Sequence, residues 1–156
     1  MANLKEGDRA LSFSLLTYND KKISLKDFKG KKVVLYFYPK DMTPGCTTQA
    51  CDFSKNLARI KRKGAVVIGV SRDSTERHQR FKEKYNLKIP LLSDEDGKVC
   101  QAYGVWKQKS LYGKKFMGIE RTTFIINTKG KIHKIFSKVK VKEHLDVVLE
   151  ELSNAQ

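Results

Sequence analysis

Two apolar runs, Val33–Tyr38 and Ala65–Ser71, flank a segment of helical periodicity, and this succession constrains the chain more than any other feature. Each run is strand-length and apolar without alternation, as in a strand buried on both faces. Between them Cys46, Ala50, Phe53, Leu57 and Ile60 recur at intervals of four, three, four and three, the stripe of an amphipathic helix expected over Cys46–Lys63. Gly64 closes that helix, and Lys61-Arg62-Lys63 sit near the negative end of its dipole. Two buried strands joined through a helix pair in parallel by a right-handed crossover. Reactive groups in such sheets gather beyond the carboxyl ends of the strands, which here is Pro39-Lys40-Asp41-Met42-Thr43-Pro44-Gly45-Cys46.

The remaining elements fit around this unit. Phe13–Leu16 and Lys22–Leu25, separated by Tyr18-Asn19-Asp20, read as a small hairpin. Asp73-Ser74-Thr75-Glu76 offers an N-cap for a helix running to about Tyr85, ended by Pro90, and Leu91-Leu92 is a short extended piece. Asp96-Gly97 turns into a brief helix carrying Cys100. Thr122–Asn127 and Lys131–Ser137 form a hairpin around Thr128-Lys129-Gly130, and Leu145, Val148, Leu149 and Leu152 stripe a final helix. This order predicts an α/β protein with a mixed central sheet flanked by helices, the topology of the thioredoxin fold with an N-terminal β-hairpin extension. The 156 residues and 40% hydrophobic content suit one domain spanning 1–156, with no linker, repeat or low-complexity segment.

Charge and cysteine count narrow the setting. The net charge of +15 is spread from Lys5 to Lys142 without one dominant block, so a solvated lysine-rich surface is expected and no specific nucleic-acid partner. Met1–Lys5 lacks the apolar core of a signal peptide, and no apolar run is long enough to span a bilayer, so neither secretion nor a membrane is expected. Three cysteines without a secretory leader argue for thiol chemistry in a reducing cytoplasm.

Cys46 opens the predicted helix. Unpaired N–H groups and the positive end of the helix dipole favour a thiolate over a thiol there, so Cys46 reads as a reactive nucleophile. Cys51 follows five positions later on another face of the same helix. Helix geometry puts the two Cα atoms about 8.6 Å apart, beyond the roughly 7 Å that a disulfide tolerates. Any bond between them requires the first turns to unwind, and a static staple is the poorer reading.

With these residues in place the sequence resembles the peroxiredoxins, and within them the bacterioferritin comigratory protein or Q-type subfamily. The resemblance covers nearly the whole chain. It rests on the P-x-x-x-T-x-x-C spacing of Pro39, Thr43 and Cys46, on the second cysteine in Thr43-Pro44-Gly45-Cys46-Thr47-Thr48-Gln49-Ala50-Cys51, and on Met117-Gly118-Ile119-Glu120-Arg121-Thr122-Thr123-Phe124. It implies an atypical two-cysteine peroxidase acting on hydrogen peroxide and organic hydroperoxides. Cys46 would be the peroxidatic cysteine and Cys51 the resolving one, joined in an intramolecular disulfide that thioredoxin or a similar dithiol recycles. Donors for the transition state would be the Thr43 hydroxyl, the Cys46 N–H and the Arg121 guanidinium, with Pro39 packing over the thiolate. No cofactor or metal is implied, and a monomer is expected.

Plainer readings stand beside these. A cysteine at a helix start commonly serves as a small buried hydrophobe, and Arg121 could be one more surface cation. Thr43 and Pro39 at their spacing, and the place of Arg121 at the edge of a strand, favour the chemical reading. Cys100, beside Val99 and Tyr103, is read as packing. His78, His133 and His144 are scattered in the pattern and are read as surface or helix residues rather than ligands.

Overall fold

The computed structural model describes residues 4–156, so Met1–Asn3 of the segment read for a leader lie outside it. Nine strands and five α-helices follow in chain order: β1 (Ser14–Thr17), β2 (Lys22–Ser24), β3 (Lys32–Phe37), α1 (Pro44–Lys55), α2 (Leu57–Arg62), β4 (Ala65–Ser71), α3 (Thr75–Tyr85), β5 (Leu91–Ser93), α4 (Lys98–Ala102), β6 (Trp106–Leu111), β7 (Lys114–Ile119), β8 (Thr122–Ile126), β9 (Ile132–Phe136) and α5 (His144–Asn154). The main sheet has the order β2-β1-β5-β4-β3-β8-β9. Its β5, β4 and β3 run parallel, as right-handed crossovers through α3 and through α1–α2 require, while β8, β9, β1 and β2 join antiparallel.

The alternation of a strand explains why β3 carries no polar face. Val34, Tyr36 and Tyr38 enter one core with Phe53 and Ile60 of α1 and α2, Phe81 of α3, and Val148 and Leu152 of α5. Val33, Leu35 and Phe37 enter a second core on the opposite face, with Val70, Tyr103, Val105 and Phe124. Gly69 in β4 is a close-approach site, because a Cβ there would lie 2.8 Å from the Tyr36 ring and 2.9 Å from Leu91 Cδ2.

Four features differ from the sequence reading. The helix expected over Cys46–Lys63 begins two residues earlier, with Pro44 in its first turn, where a missing N–H costs nothing. It also breaks at Asn56, whose side-chain amide donates to the Asp52 carbonyl at 2.9 Å and competes with the helical ladder. At the start of α3 the cap is Ser74, which accepts the Arg77 N–H, while the Asp73 carboxylate turns away to the Asp41 N–H.

The fourth difference is a whole hairpin. β6 and β7 pair only with each other, around Tyr112-Gly113, both of positive φ as a two-residue type I′ turn demands. Their lysine-rich sequences show no apolar alternation, since Leu111, Tyr112, Phe116 and Met117 are exposed, and Tyr-Gly is a weaker turn signal than Asn-Gly. The three histidines are only partly as expected. His78 and His144 lie on helices but are buried, and the half-buried His133 pairs with Glu151 at 3.1 Å.

His144 opens α5, with Nε2 2.9 Å from Thr123 Oγ1. Burial first, and the Arg121 guanidinium second, hold it below its usual value, at about 4. The folded ring stays neutral while the unfolded one takes a proton near pH 6.5. Stability attributable to this residue is therefore intact above pH 6.5 and declines as pH falls toward 4, by up to about 3 kcal/mol. Urea denaturation at pH 7, 5.5 and 4.5 should show that decline in the wild type and a clearly shallower one in His144→Gln.

Candidate active site

The site forms where β3 ends. Tyr38 is still held to β4 by its N–H to Val70 O at 3.1 Å, and the chain then turns through Pro39–Thr43 into α1. Pro39 is half-buried in this turn, and Met42 adopts the left-handed conformation with φ 65°. Thr43 is the N-cap residue, extended at φ −77° and ψ 153°, and its carbonyl accepts the first helical bond from Thr47 N at 2.8 Å. Its hydroxyl donates to Lys40 O at 2.9 Å. The sequence reading made this hydroxyl a donor to substrate; with its proton committed to Lys40, the oxygen has acceptor capacity left instead.

Cys46 occupies the first turn of α1, where Gly45 and Cys46 N–H have no intrahelical acceptor. Its side chain is 1% exposed. Arg121, just before β8, reaches across to it, with Nη2 donating to Sγ at 3.3 Å and Nη1 to Gln49 Oε1 at 2.6 Å. The antiparallel pairing of Phe37 with Thr122 sets the end of β3 beside the start of β8, and the Arg121 carbonyl is fixed by Val139 N at 2.9 Å. Gly45 gives the guanidinium room, since a Cβ there would come within 3.1 Å of Nη2.

Other groups respond to this cluster. Burial, with the Arg121 cation next, lowers the Lys109 ammonium, whose Nζ donates to Ile119 O at 2.8 Å. Burial and the neighbouring Cys46 sulfur push the Tyr36 phenol well above its usual value, and its hydroxyl has no hydrogen-bond partner among the described residues.

All three cysteines are free thiols. Cys51 is half-buried on the same unbroken helix as Cys46 and borders a groove with Ser54, Lys55, Tyr85, Asn86 and Lys88. Cys100 belongs to the core on the other side of the sheet from Cys46. There burial and the Asp94 carboxylate push its thiol far up, and Cys100 N donates to Asp94 Oδ2 at 2.7 Å. It is a packing residue with suppressed nucleophilicity.

The structure thus brings Arg121 to Cys46, and sets Thr43 at the cap three residues before Cys46 and Cys51 five residues along the helix after it. Sequence reasoning missed Gln49, which orients Arg121, although its place one turn after Cys46 was a usable signal. It also missed Asp41 and His78, whose side chains meet beneath the loop at 2.6 Å across 37 positions with no local pattern to announce it. Among the described residues no group of three or more His, Cys, Asp or Glu could hold a metal, and no helix is long and apolar enough to cross a membrane.

Comparison with known proteins bears on this cluster directly. The AhpC/TSA family profile matches residues 7–135. The peroxiredoxin Bcp of Bacillus subtilis is 49% identical over 148 residues, covering 95% of this chain and 94% of the relative. That of Escherichia coli K12 is 48% identical over 149 residues, 96% of each. Among solved structures, the bacterioferritin comigratory protein of Xanthomonas campestris superposes with a TM-score of 0.86 at 41% identity, covering 91% of this chain and 90% of the other. The PrxQ of Xylella fastidiosa does so with 0.93 at 36%, covering 99% and 98%. Sequence similarity over nearly the full length, on this fold and around a thiol at a helix start, makes the chain a member of the AhpC/TSA family and, within it, a thiol-based peroxidase of the Bcp/Q-type atypical two-cysteine peroxiredoxins.

Proposed function

We propose that Cys46 is the peroxidatic nucleophile, Cys51 the resolving cysteine, and Arg121, Thr43 and Pro39 the residues that shape the peroxide site. The observation that carries this reading is the Arg121 Nη2 contact to Cys46 Sγ at 3.3 Å, in the first turn of a helix. The cation and the free N–H groups there stabilise negative charge on sulfur and on the peroxide oxygens as the O–O bond breaks. The Cys46 thiolate attacks one oxygen of ROOH. An S–O bond forms, the O–O bond breaks, and the departing alkoxide takes a proton to leave as ROH, so sulfur supplies both electrons. Thr43 Oγ1 accepts the hydroperoxide O–H, as its bond to Lys40 leaves it free to do, and half-buried Pro39 limits water at the sulfur.

In the second step the Cys51 thiol attacks the Cys46 sulfenic acid, forming the disulfide and releasing water. Thioredoxin or a similar dithiol then returns both thiols. Hydrogen peroxide and organic hydroperoxides are the substrates; support for the organic class is the alkyl peroxide reduction activity of the Xanthomonas campestris relative. Both thiols belong to one domain spanning the chain, so a monomer suffices, and three free thiols suit a cytoplasmic setting.

Cys46→Ser should abolish turnover in a coupled peroxidase assay, because an alcohol cannot replace the thiolate. Arg121→Ala should lower the second-order rate with hydrogen peroxide by about 10²- to 10³-fold without loss of the folded circular dichroism spectrum; an unchanged rate would remove Arg121 from the mechanism. Cys51→Ser should consume one equivalent of peroxide and stall as a sulfenic acid trapped by dimedone when thioredoxin is the only reductant, while Cys100→Ser turns over almost normally. Peptide mapping that joins Cys46 to Cys100 would overturn the choice of resolving residue.

Because α1 runs unbroken through both cysteines, bond formation has to melt it. Amide exchange should accelerate between residues 43 and 55 on oxidation and recover on reduction, with little change in β4 or α5. Equal protection in the two redox states, once the Cys46–Cys51 bond is confirmed by mapping, would refute the unwinding.

A further inference from the structure

Beneath the active-site turn, two side chains converge on one carboxylate. Asp41 is 2% exposed; its Oδ1 accepts the Tyr38 hydroxyl at 2.6 Å, and its Oδ2 faces His78 Nδ1 at 2.6 Å. The Asp41 N–H donates to Asp73 Oδ2 at 2.8 Å, and Asp73 is itself held by Ser71 Oγ at 2.7 Å and Arg77 Nε at 2.9 Å. His78 is fully buried on α3, and its Nε2 faces the Leu92 carbonyl of β5 at 3.0 Å. The ring therefore ties the Pro39–Thr43 turn to α3 and the sheet at once.

An arrangement of this kind needs a reason. A carboxylate and an imidazole taken out of water cost more than an apolar pair of the same size unless their polar atoms find partners, and here both carboxylate oxygens and both ring nitrogens have one within hydrogen-bond distance. An apolar pair would serve packing as well, so the bonds have to confer something that packing does not. What they confine is the turn itself. Asp41 sits between Lys40, whose carbonyl takes the Thr43 hydroxyl proton, and Met42, which holds a left-handed backbone that a non-glycine residue seldom adopts unless its surroundings impose it.

We propose that His78, acting through Asp41, is a positioning residue for the peroxide step: it pins the turn so that Lys40 O holds the Thr43 proton and the Thr43 lone pairs stay available to the hydroperoxide. This rests on the reading of Thr43 as acceptor of the peroxide O–H. His78 touches neither substrate nor sulfur in this scheme. Its effect is confined to the alignment of peroxide at Cys46, and does not extend to the intrinsic reactivity of the thiol, which Arg121 and the helix start govern.

Two isosteric halves of the imidazole test it. In His78→Gln the amide can still reach Leu92 O but leaves Asp41 Oδ2 without its partner, whereas in His78→Asn the amide sits where Nδ1 was and keeps the Asp41 bond. Stopped-flow rates of Cys46 oxidation by hydrogen peroxide should fall about tenfold or more in His78→Gln and stay within about threefold of wild type in His78→Asn. Alkylation of Cys46 by iodoacetamide, which needs the thiol but no peroxide alignment, should change less than about twofold in both. Equal slowing in the two variants, a parallel fall in alkylation, or no slowing in His78→Gln would overturn the proposal. Tyr38→Phe deletes only the second donor to Asp41 and covers the case in which a polar replacement fails to fold; it should lower the peroxide rate about threefold with alkylation unchanged, and an unchanged peroxide rate would overturn the proposal. Thr43→Val, measured alongside, separates the two levels. If it leaves the peroxide rate intact, the reading of Thr43 fails and the positioning role falls with it; if it slows while His78→Gln does not, only the positioning role fails.

Discussion

The pairing of β3 with a parallel neighbour on one edge and an antiparallel one on the other is the constraint on which the rest of the structure depends. The parallel edge forces the chain to return over the sheet through α1 and α2, which puts a helix start beyond the carboxyl end of β3. The antiparallel edge brings the first residue of β8 to that same end, and with it Arg121. Had β8 run parallel, its start would lie at the opposite end of the sheet, and the guanidinium could not meet the sulfur. Backbone direction, decided by strand pairing, is thus what assembles a cation and a thiol that are 75 positions apart in sequence.

That pairing in turn depends on β3 being apolar on both faces, and this was the most legible feature of the sequence. A run such as Val33–Tyr38 can only sit between two covered layers, and the stripe Cys46–Ala50–Phe53–Ile60 supplies the cover on one side. The parallel unit, the terminal hairpins, the last helix and the thiol at the helix start all followed from such local patterns. The β6–β7 hairpin did not, because its mostly exposed, lysine-rich strands carry no apolar alternation. The break at Asn56 was hidden for the opposite reason: the stripe continues through it, with Leu57 and Ile60 in register, while the cause is a single side chain bonding backward.

Within the site, legibility followed distance along the chain. Thr43, Pro44 and Cys46 form one short segment, where the sequence showed a thiol at a helix start but set that start two residues late, so that Thr43 as cap and Pro44 in the first turn went unread. Gln49 could have been found one turn further on. The partners that come from elsewhere, Asp41 with His78 and Asp73, depend on α3 crossing beneath the turn. A histidine in a helix of mean basic character looks like surface decoration until the packing shows it enclosed.

The interruption at Asn56 also bears on how far a local event can travel. Melting of a helix is cooperative and runs along the axis until it meets a defect, because each lost hydrogen bond loosens the next. In a continuous helix from Pro44 to Arg62, fraying begun at one end would draw on the whole length, including Ile60, which anchors the element against β4. The discontinuity splits that length into two separately nucleated pieces. Were α1 to melt on oxidation as proposed above, this break would cap the disorder at about three turns and leave α2 in place.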